Sequence, residues 1–154
     1  MTANAASPVP RPARAATRDA VLLYDGRCGL CARSVQFVLR HERASQRLRF
    51  ATLQGPHGSG ALAMQPPLAG IDSVVWIEPS SDGSDRVLVR SDAVLAVLDH
   101  LGGGWRWLAR VGRLVPRLSR DALYQVAARY RYRVFGRDGS CLLPTPDQRA
   151  RFLD

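Results

Sequence analysis

The sequence contains no lysine; all 22 of its basic residues are arginine. That excludes Schiff-base chemistry and a Walker-type lysine on a nucleotide phosphate. Cysteine is scarce as well, with three in 154 residues, an odd number and far too few for a disulfide scaffold. No apolar run approaches the roughly 20 residues that span a bilayer. Met1 to Asp19 is Ala, Pro, Thr and Arg with no apolar h-region, so no secretory signal is expected there. Such a segment buries little and is expected to be a disordered tail, with the cytoplasm as the default location. Acidic residues are outnumbered, 13 against 22, which leaves a net charge of +9. That charge admits nucleic acid, acidic proteins or lipid headgroups as partners; the competing reading of the all-arginine usage is genome composition alone.

What remains is enough for one domain, 20–154, with 46% hydrophobic residues to bury. Val21-Leu22-Leu23-Tyr24-Asp25 reads as a buried strand and Asp25-Gly26 as a turn. From Cys31 onward, Val35, Val38 and Leu39 recur at helical spacing between Arg33, Gln36 and Arg40. Leu48 to Leu53 alternates as a second strand. Gly55 to Gly70 is rich in Gly and Pro, with a short helix around Ala61 to Met64. Ser73 to Ile77 reads as a strand, Pro79 to Ser84 as a turn, and Val87 to Val89 as the hairpin partner. Ser91 or Asp92 is then expected to cap a helix that Gly102-Gly103-Gly104 closes. Two further helices, about Trp105 to Val115 and Arg120 to Val134, are separated by Pro116. No internal repeat is found. The first strand–helix–strand unit should be a right-handed parallel crossover. The expected fold is therefore α/β: a thioredoxin-like mixed sheet flanked by helices, with extra C-terminal helices.

Two of the cysteines form Cys28-Gly29-Leu30-Cys31, where a strand ends and a helix begins. Free backbone N–H groups and the helix dipole favour an anion at that place, which lowers a thiol pKa. Cys31 lies three residues on, on the same helix face, so a disulfide closes with little backbone movement. An exposed Cys28 would attack a substrate disulfide and a more shielded Cys31 would resolve the mixed intermediate. The competing reading is half of a zinc site, which wants four ligands. The remaining candidates, Cys141, His41, His57 and His100, form no second close-spaced pair. Inert cysteines are the third reading.

Asp25-Gly26-Arg27-Cys28-Gly29-Leu30-Cys31, directly after an apolar strand, resembles the DxxCxxC signature of the DCC-type thiol–disulfide oxidoreductases. Ser34-Val35-Gln36-Phe37, Asp72-Ser73-Val74-Val75, Ser91-Asp92-Ala93 and Leu101-Gly102-Gly103 are similar to that family's pattern. So are Arg129-Tyr130-Arg131-Tyr132 with Phe135-Gly136, and Cys141-Leu142-Leu143-Pro144. The resemblance runs from Val21 to the end of the chain. It implies a thioredoxin-like fold and a redox role. The expected enzyme exchanges a CxxC dithiol with a protein or small-molecule disulfide, draws on an electron donor, and needs no bound cofactor or metal.

Thioredoxins usually place a cis-proline before the third core strand, opposite the cysteines. Here the stretch reads Ile71-Asp72-Ser73, and a non-proline cis bond costs about 2.5–4 kcal/mol, so a trans bond is expected. Asp72 and Ser73 become candidates for contacting substrate, with Asp72 placing a carboxylate near the cysteines. Asp25 is the other candidate carboxylate: either it mediates proton transfer at the Cys31 thiol, or it is a turn residue accepting backbone hydrogen bonds. Arg106, Arg110, Arg113, Arg117 and Arg120 form a stripe that Pro116 disturbs, with Trp107, Leu108, Val111, Leu114, Val115 and Leu118 on the other side. The stripe reads as a surface docking to membrane or nucleic acid, the core of a non-enzymatic alternative, or as a solvated basic face over a packed apolar one. Tyr124, Tyr130 and Tyr132 read as packing residues. Cys141 is either a third thiol near Cys28 or a buried, unreactive cysteine.

Overall fold

The computed structural model describes residues 19–43, 48–80, 82, 84–137 and 144–154. The tail up to residue 18 and Cys141 lie outside these. β1 (Val21–Tyr24) runs into α1 (Gly29–His41), then β2 (Arg49–Thr52) and α2 (Pro56–Ala63). A 3-10 turn at Pro66–Leu68 leads to the hairpin of β3 (Val75–Glu78) and β4 (Arg86–Val89). α3 (Arg90–Leu101), α4 (Gly103–Leu114), α5 (Arg117–Phe135) and the short α6 (Pro146–Arg149) complete the chain. The strands lie in the order β2-β1-β3-β4. β1 and β2 are parallel, with Leu22 opposite Phe50. β3 is antiparallel to both β1 and β4. This mixed sheet flanked by helices is the α/β, thioredoxin-like layout the element order predicts.

Period-two alternation sorts the strand residues onto two faces. Leu22, Tyr24, Phe50 and Trp76 pack with Val35 and Val38 of α1 and with Ala93 and Leu101 of α3. Leu23, Ala51, Leu53 and Val75 face Leu62, Leu68 and Ile71 on the other side. The exposed edge of β2 is covered by the chain's last residues. Phe50 and Phe152 form a parallel bridge, and the Asp154 carboxylate accepts from the Thr52 amide at 2.8 Å and the His57 amide at 3.0 Å. An unpaired sheet edge is otherwise a template for aggregation.

Several boundaries differ from the sequence reading. α3 begins at Arg90 without a side-chain cap. Ser91 instead donates its hydroxyl to Asp121 of α5, and Asp92 pairs with Arg117 and Arg120 at 3.1 Å each. Gly102, at φ 70°, ends α3 and opens α4 in one residue, a left-handed conformation that costs glycine little. α5 starts at Arg117, immediately after Pro116.

The apolar side of α4 is not packed, contrary to the bland reading of the arginine stripe. α4 meets the body of the domain through Trp105, Ala109 and Gly112, spaced as one helical stripe. Trp105 packs edge-on to Phe37, Ala109 is fully buried, and a Cβ on Gly112 would come within 2.7 Å of Leu95. The small residues let α4 approach closely, so the large ones are turned outward. Leu114 is 83% exposed and Trp107 66%.

Phe50 is fully buried where the sheet face meets the C-terminal Phe152. Phe50→Ala should destabilise the domain by about 3–5 kcal/mol, read as a lowered midpoint in urea with unchanged slope.

Candidate active site

α1 starts immediately after the C-terminal end of β1, so the Asp25–Cys31 segment is a strand-to-helix turn. Cys28 occupies the N-cap position, with extended backbone, and its sulfur accepts from the Cys31 amide at 3.4 Å. Both cysteines are free thiols here. Cys28 was expected to be exposed and Cys31 shielded, but the structure reverses this: Cys28 is fully buried and Cys31 half-buried. The cause lies in α5, whose C-terminal end sits on the motif. The Gly29 amide donates to the Gly136 carbonyl at 3.4 Å, and a Cβ at Gly29 would stand 2.4 Å from the Phe135 carbonyl oxygen. Only glycine permits that approach.

Asp25 is buried beside the pair. Its Oδ1 accepts from the Arg27 amide and from Gln54 Nε2, both at 2.9 Å. The first of these is the turn role read from sequence. Its Oδ2 accepts from the Tyr132 hydroxyl and lies 3.4 Å from Arg131 Nη2. Arg131 in turn pairs with Asp72 and donates to the Tyr132 oxygen at 3.0 Å. It is 3% exposed, and its Nε has no partner among the described residues. Asp72 therefore belongs to the same network as Asp25, joined through α5. Ser73 is buried and donates to the Val74 carbonyl at 3.3 Å. Peptide bonds among the described residues are trans, as expected around Asp72.

The charges respond to this packing. Burial works to raise the Asp25 carboxyl, but hydrogen bonds from Tyr132, the Arg27 amide and Gln54, with the Arg131 charge, hold it below its ordinary value. Burial pushes the Cys31 thiol up to about 12, helped by its hydrogen bond to Cys28 and the charge of that sulfur; Arg131 and the Asp25 amide oppose the rise. Tyr132 is raised to about 12 by burial and by donating to Asp25. Asp25 is thus ionised at neutral pH while Cys31 and Tyr132 keep their protons.

Beside Asp72 opens a cleft of about 370 Å³, lined also by Gly70, Ser73, Arg90 and Tyr124. Arg90 stands at φ 54°, an uncommon conformation for a non-glycine residue. Tyr124 spans from α5 to the sheet, accepting from the Val74 amide at 3.0 Å. Among the described residues no three histidine, cysteine or acidic side chains are placed to hold a metal ion. His41 bonds the Phe37 carbonyl, and His100 bonds Glu42, so both serve the scaffold.

The model of the DCC1-like thiol–disulfide oxidoreductases matches residues 22–137. The chain belongs to that family. It is 38% identical over 134 residues to the uncharacterised protein YuxK of Bacillus subtilis, covering 86% of this chain and 93% of the relative. It is 36% identical over 124 residues to a chloroplastic DCC family protein of Arabidopsis thaliana, covering 80% and 69% respectively. No solved structure matches. The family match ends at residue 137, so it contains the arginine and tyrosine that hold Asp25. Sequence reasoning gave those residues no site role. Tyr132 read as a packing residue and Arg131 only as part of a family-like string, because nothing in local spacing shows a partner about a hundred residues away.

Tyr132→Phe should remove a hydrogen bond to a buried charge, costing about 1.5–3 kcal/mol. Its pH signature is specific. Asp25 sits lower in the fold than in the unfolded chain, where it titrates near 3.8. Its stabilisation is therefore complete above that value and is lost as acid takes pH down through the folded value. Tyr132→Phe should shrink this acid-side loss, and Asp25→Asn should abolish it, in urea melts across pH 2 to 7.

Proposed function

We propose that the protein is a thiol–disulfide oxidoreductase in which Cys28 attacks and Cys31 resolves. One observation carries the reading: the two sulfurs share a helix N-terminus but not an environment. The Cys28 sulfur caps the helix and receives the Cys31 amide, so a backbone N–H faces the sulfur that attacks. Cys31 is held as a thiol. The Cys28 thiolate attacks one sulfur of a substrate disulfide, that S–S bond breaks, and the leaving thiolate takes a proton. Cys31 then loses its proton and attacks the Cys28 sulfur of the mixed disulfide. The second substrate thiol departs, and the enzyme holds a Cys28–Cys31 disulfide. Two electrons have passed to the substrate; an external dithiol or thiol donor restores the enzyme, and the reverse sequence oxidises a dithiol.

Arg131 acts on the second step, because its charge favours the Cys31 thiolate as it forms. Asp25 and Tyr132 hold Arg131 in place. A carboxylate kept low is a weak acceptor for the proton of a thiol kept high, so Asp25 serves as the ionised anchor of this network. The cleft beside Asp72 and Ser73 is the place for the substrate chain next to its disulfide, with Asp72 reaching the cysteines through Arg131. Because Cys28 is buried, attack needs the Phe135–Gly136 end of α5 to lift from Gly29. The reducing cytoplasm suits a redox-active CxxC in so cysteine-poor a chain.

The alternative, a zinc-bound or structural pair in a binding module, is separated by serine variants of the two cysteines. Cys31→Ser should accumulate mixed disulfides through Cys28, and Cys28→Ser should trap nothing and turn over nothing. Both should stay folded. The assignment is reversed if Cys31 is alkylated faster than Cys28 in the reduced protein. It fails altogether if both variants lose zinc and unfold together, since ligand loss then removes folding free energy.

A further inference from the structure

We infer that the outer face of α4, continued into the start of α5, docks on an anionic membrane surface. The face is built by helical periodicity. Trp105, Ala109 and Gly112 point inward; Trp107, Val111 and Leu114 lie on the opposite side of the same helix. Leu118 extends the row past Pro116 and is 87% exposed. A helix that is apolar on the side turned away from its own core needs a second apolar environment.

Charge selects which one. Between Gly102 and Arg137 there are nine arginines and one acid, Asp121. Arg106 and Arg113 share Asp99, at 3.5 and 2.9 Å, and Arg117 and Arg120 share Asp92. Arg117 also reaches Asp121 at 3.7 Å, so three carboxylates hold four guanidinium groups along one flank, and the flank stays positive. Arg110, midway along it, has no acidic partner among the described residues. A second copy of this chain would bring the same positive flank against itself. A nucleic acid would meet the arginines but leave Leu114 and Leu118 against phosphate and water. The headgroup boundary of an anionic bilayer satisfies both halves: apolar side chains enter the acyl margin while flanking arginines meet phosphate. Among the described residues no helix is long and apolar enough to cross a membrane, so the mode is lying on the surface. This rests on the outer face of α4 and the first turn of α5 and is independent of the redox reading.

The test is co-sedimentation of the full chain with vesicles of phosphatidylcholine alone or with phosphatidylglycerol at about 3:1, at about 0.05 M and 0.5 M salt. Binding to the anionic vesicles at low salt should weaken at least about tenfold at high salt, with little binding to phosphatidylcholine. Leu114→Glu/Leu118→Glu, two exposed positions that should leave the thermal midpoint unchanged, should abolish binding. Trp107 should shift its emission to the blue on adding anionic vesicles, and Trp107→Phe should lose that shift. The inference is overturned by any of four results: no binding at low salt, equal binding by the double variant, sedimentation of the free protein as a dimer that the double variant dissociates, or tighter binding to duplex oligonucleotide than to vesicles.

Discussion

A charge placed inside a protein must be answered there, and Asp25 is such a charge. It sits at the end of the first strand, buried and ionised, and its two oxygens accept from Arg27, Gln54 and Tyr132 with Arg131 close by. Removing one partner of a buried ion pair leaves an uncompensated charge and is strongly destabilising. The domain is therefore complete only when α5 is docked, although the four-strand sheet and its first three helices already form a recognisable fold. Tyr132 and Asp25 are 107 residues apart in sequence, so this turn is completed from distant parts of the chain.

The same docking differentiates the two sulfurs. It brings the Phe135 and Gly136 carbonyls onto Gly29 and sets Arg131 beside Cys31. Burial holds the Cys31 thiol up, and an arginine already paired to two carboxylates opposes that rise. Because Asp25 and Asp72 draw on that guanidinium, its effect on sulfur is tempered. An unpaired arginine there would oppose the rise of the Cys31 thiol more strongly.

Much of this was legible in the sequence because it is local. The apolar run Val21 to Tyr24, the alternation of Leu48 to Leu53 and the hairpin read over Ser73 to Val89 marked the strands, the Asp25-Gly26 turn marked the end of the first, and the strand-to-helix position of Cys28 followed directly. The order of elements then left few topologies besides the mixed sheet observed. Two things were not legible. Buried partnerships between distant residues carry no periodic signal, so Arg131 and Tyr132 were passed over, and with them the burial of Cys28. The orientation of α4 was misjudged for another reason. Large apolar side chains are ordinarily taken as the inward face, yet here Ala109 and Gly112 face in, and a Cβ on Gly112 would come within 2.7 Å of a Leu95 methyl.

That inversion connects the surface to the site. The small stripe fixes α4 against α3, and Asp92 of α3 fixes the start of α5 through Arg117 and Arg120. α5 then runs unbroken for 19 residues, about 28 Å of helix, to the arginine and tyrosine that hold Asp25. One rigid element thus has its first turn at the apolar, arginine-flanked face and its last two turns on the redox motif. A force or a surface that engages the first end acts on the second through helix geometry alone. In the proposed reaction Cys28 is reached only when the far end of α5 lifts from Gly29, so a tilt of this helix at its exposed end would change access to that sulfur.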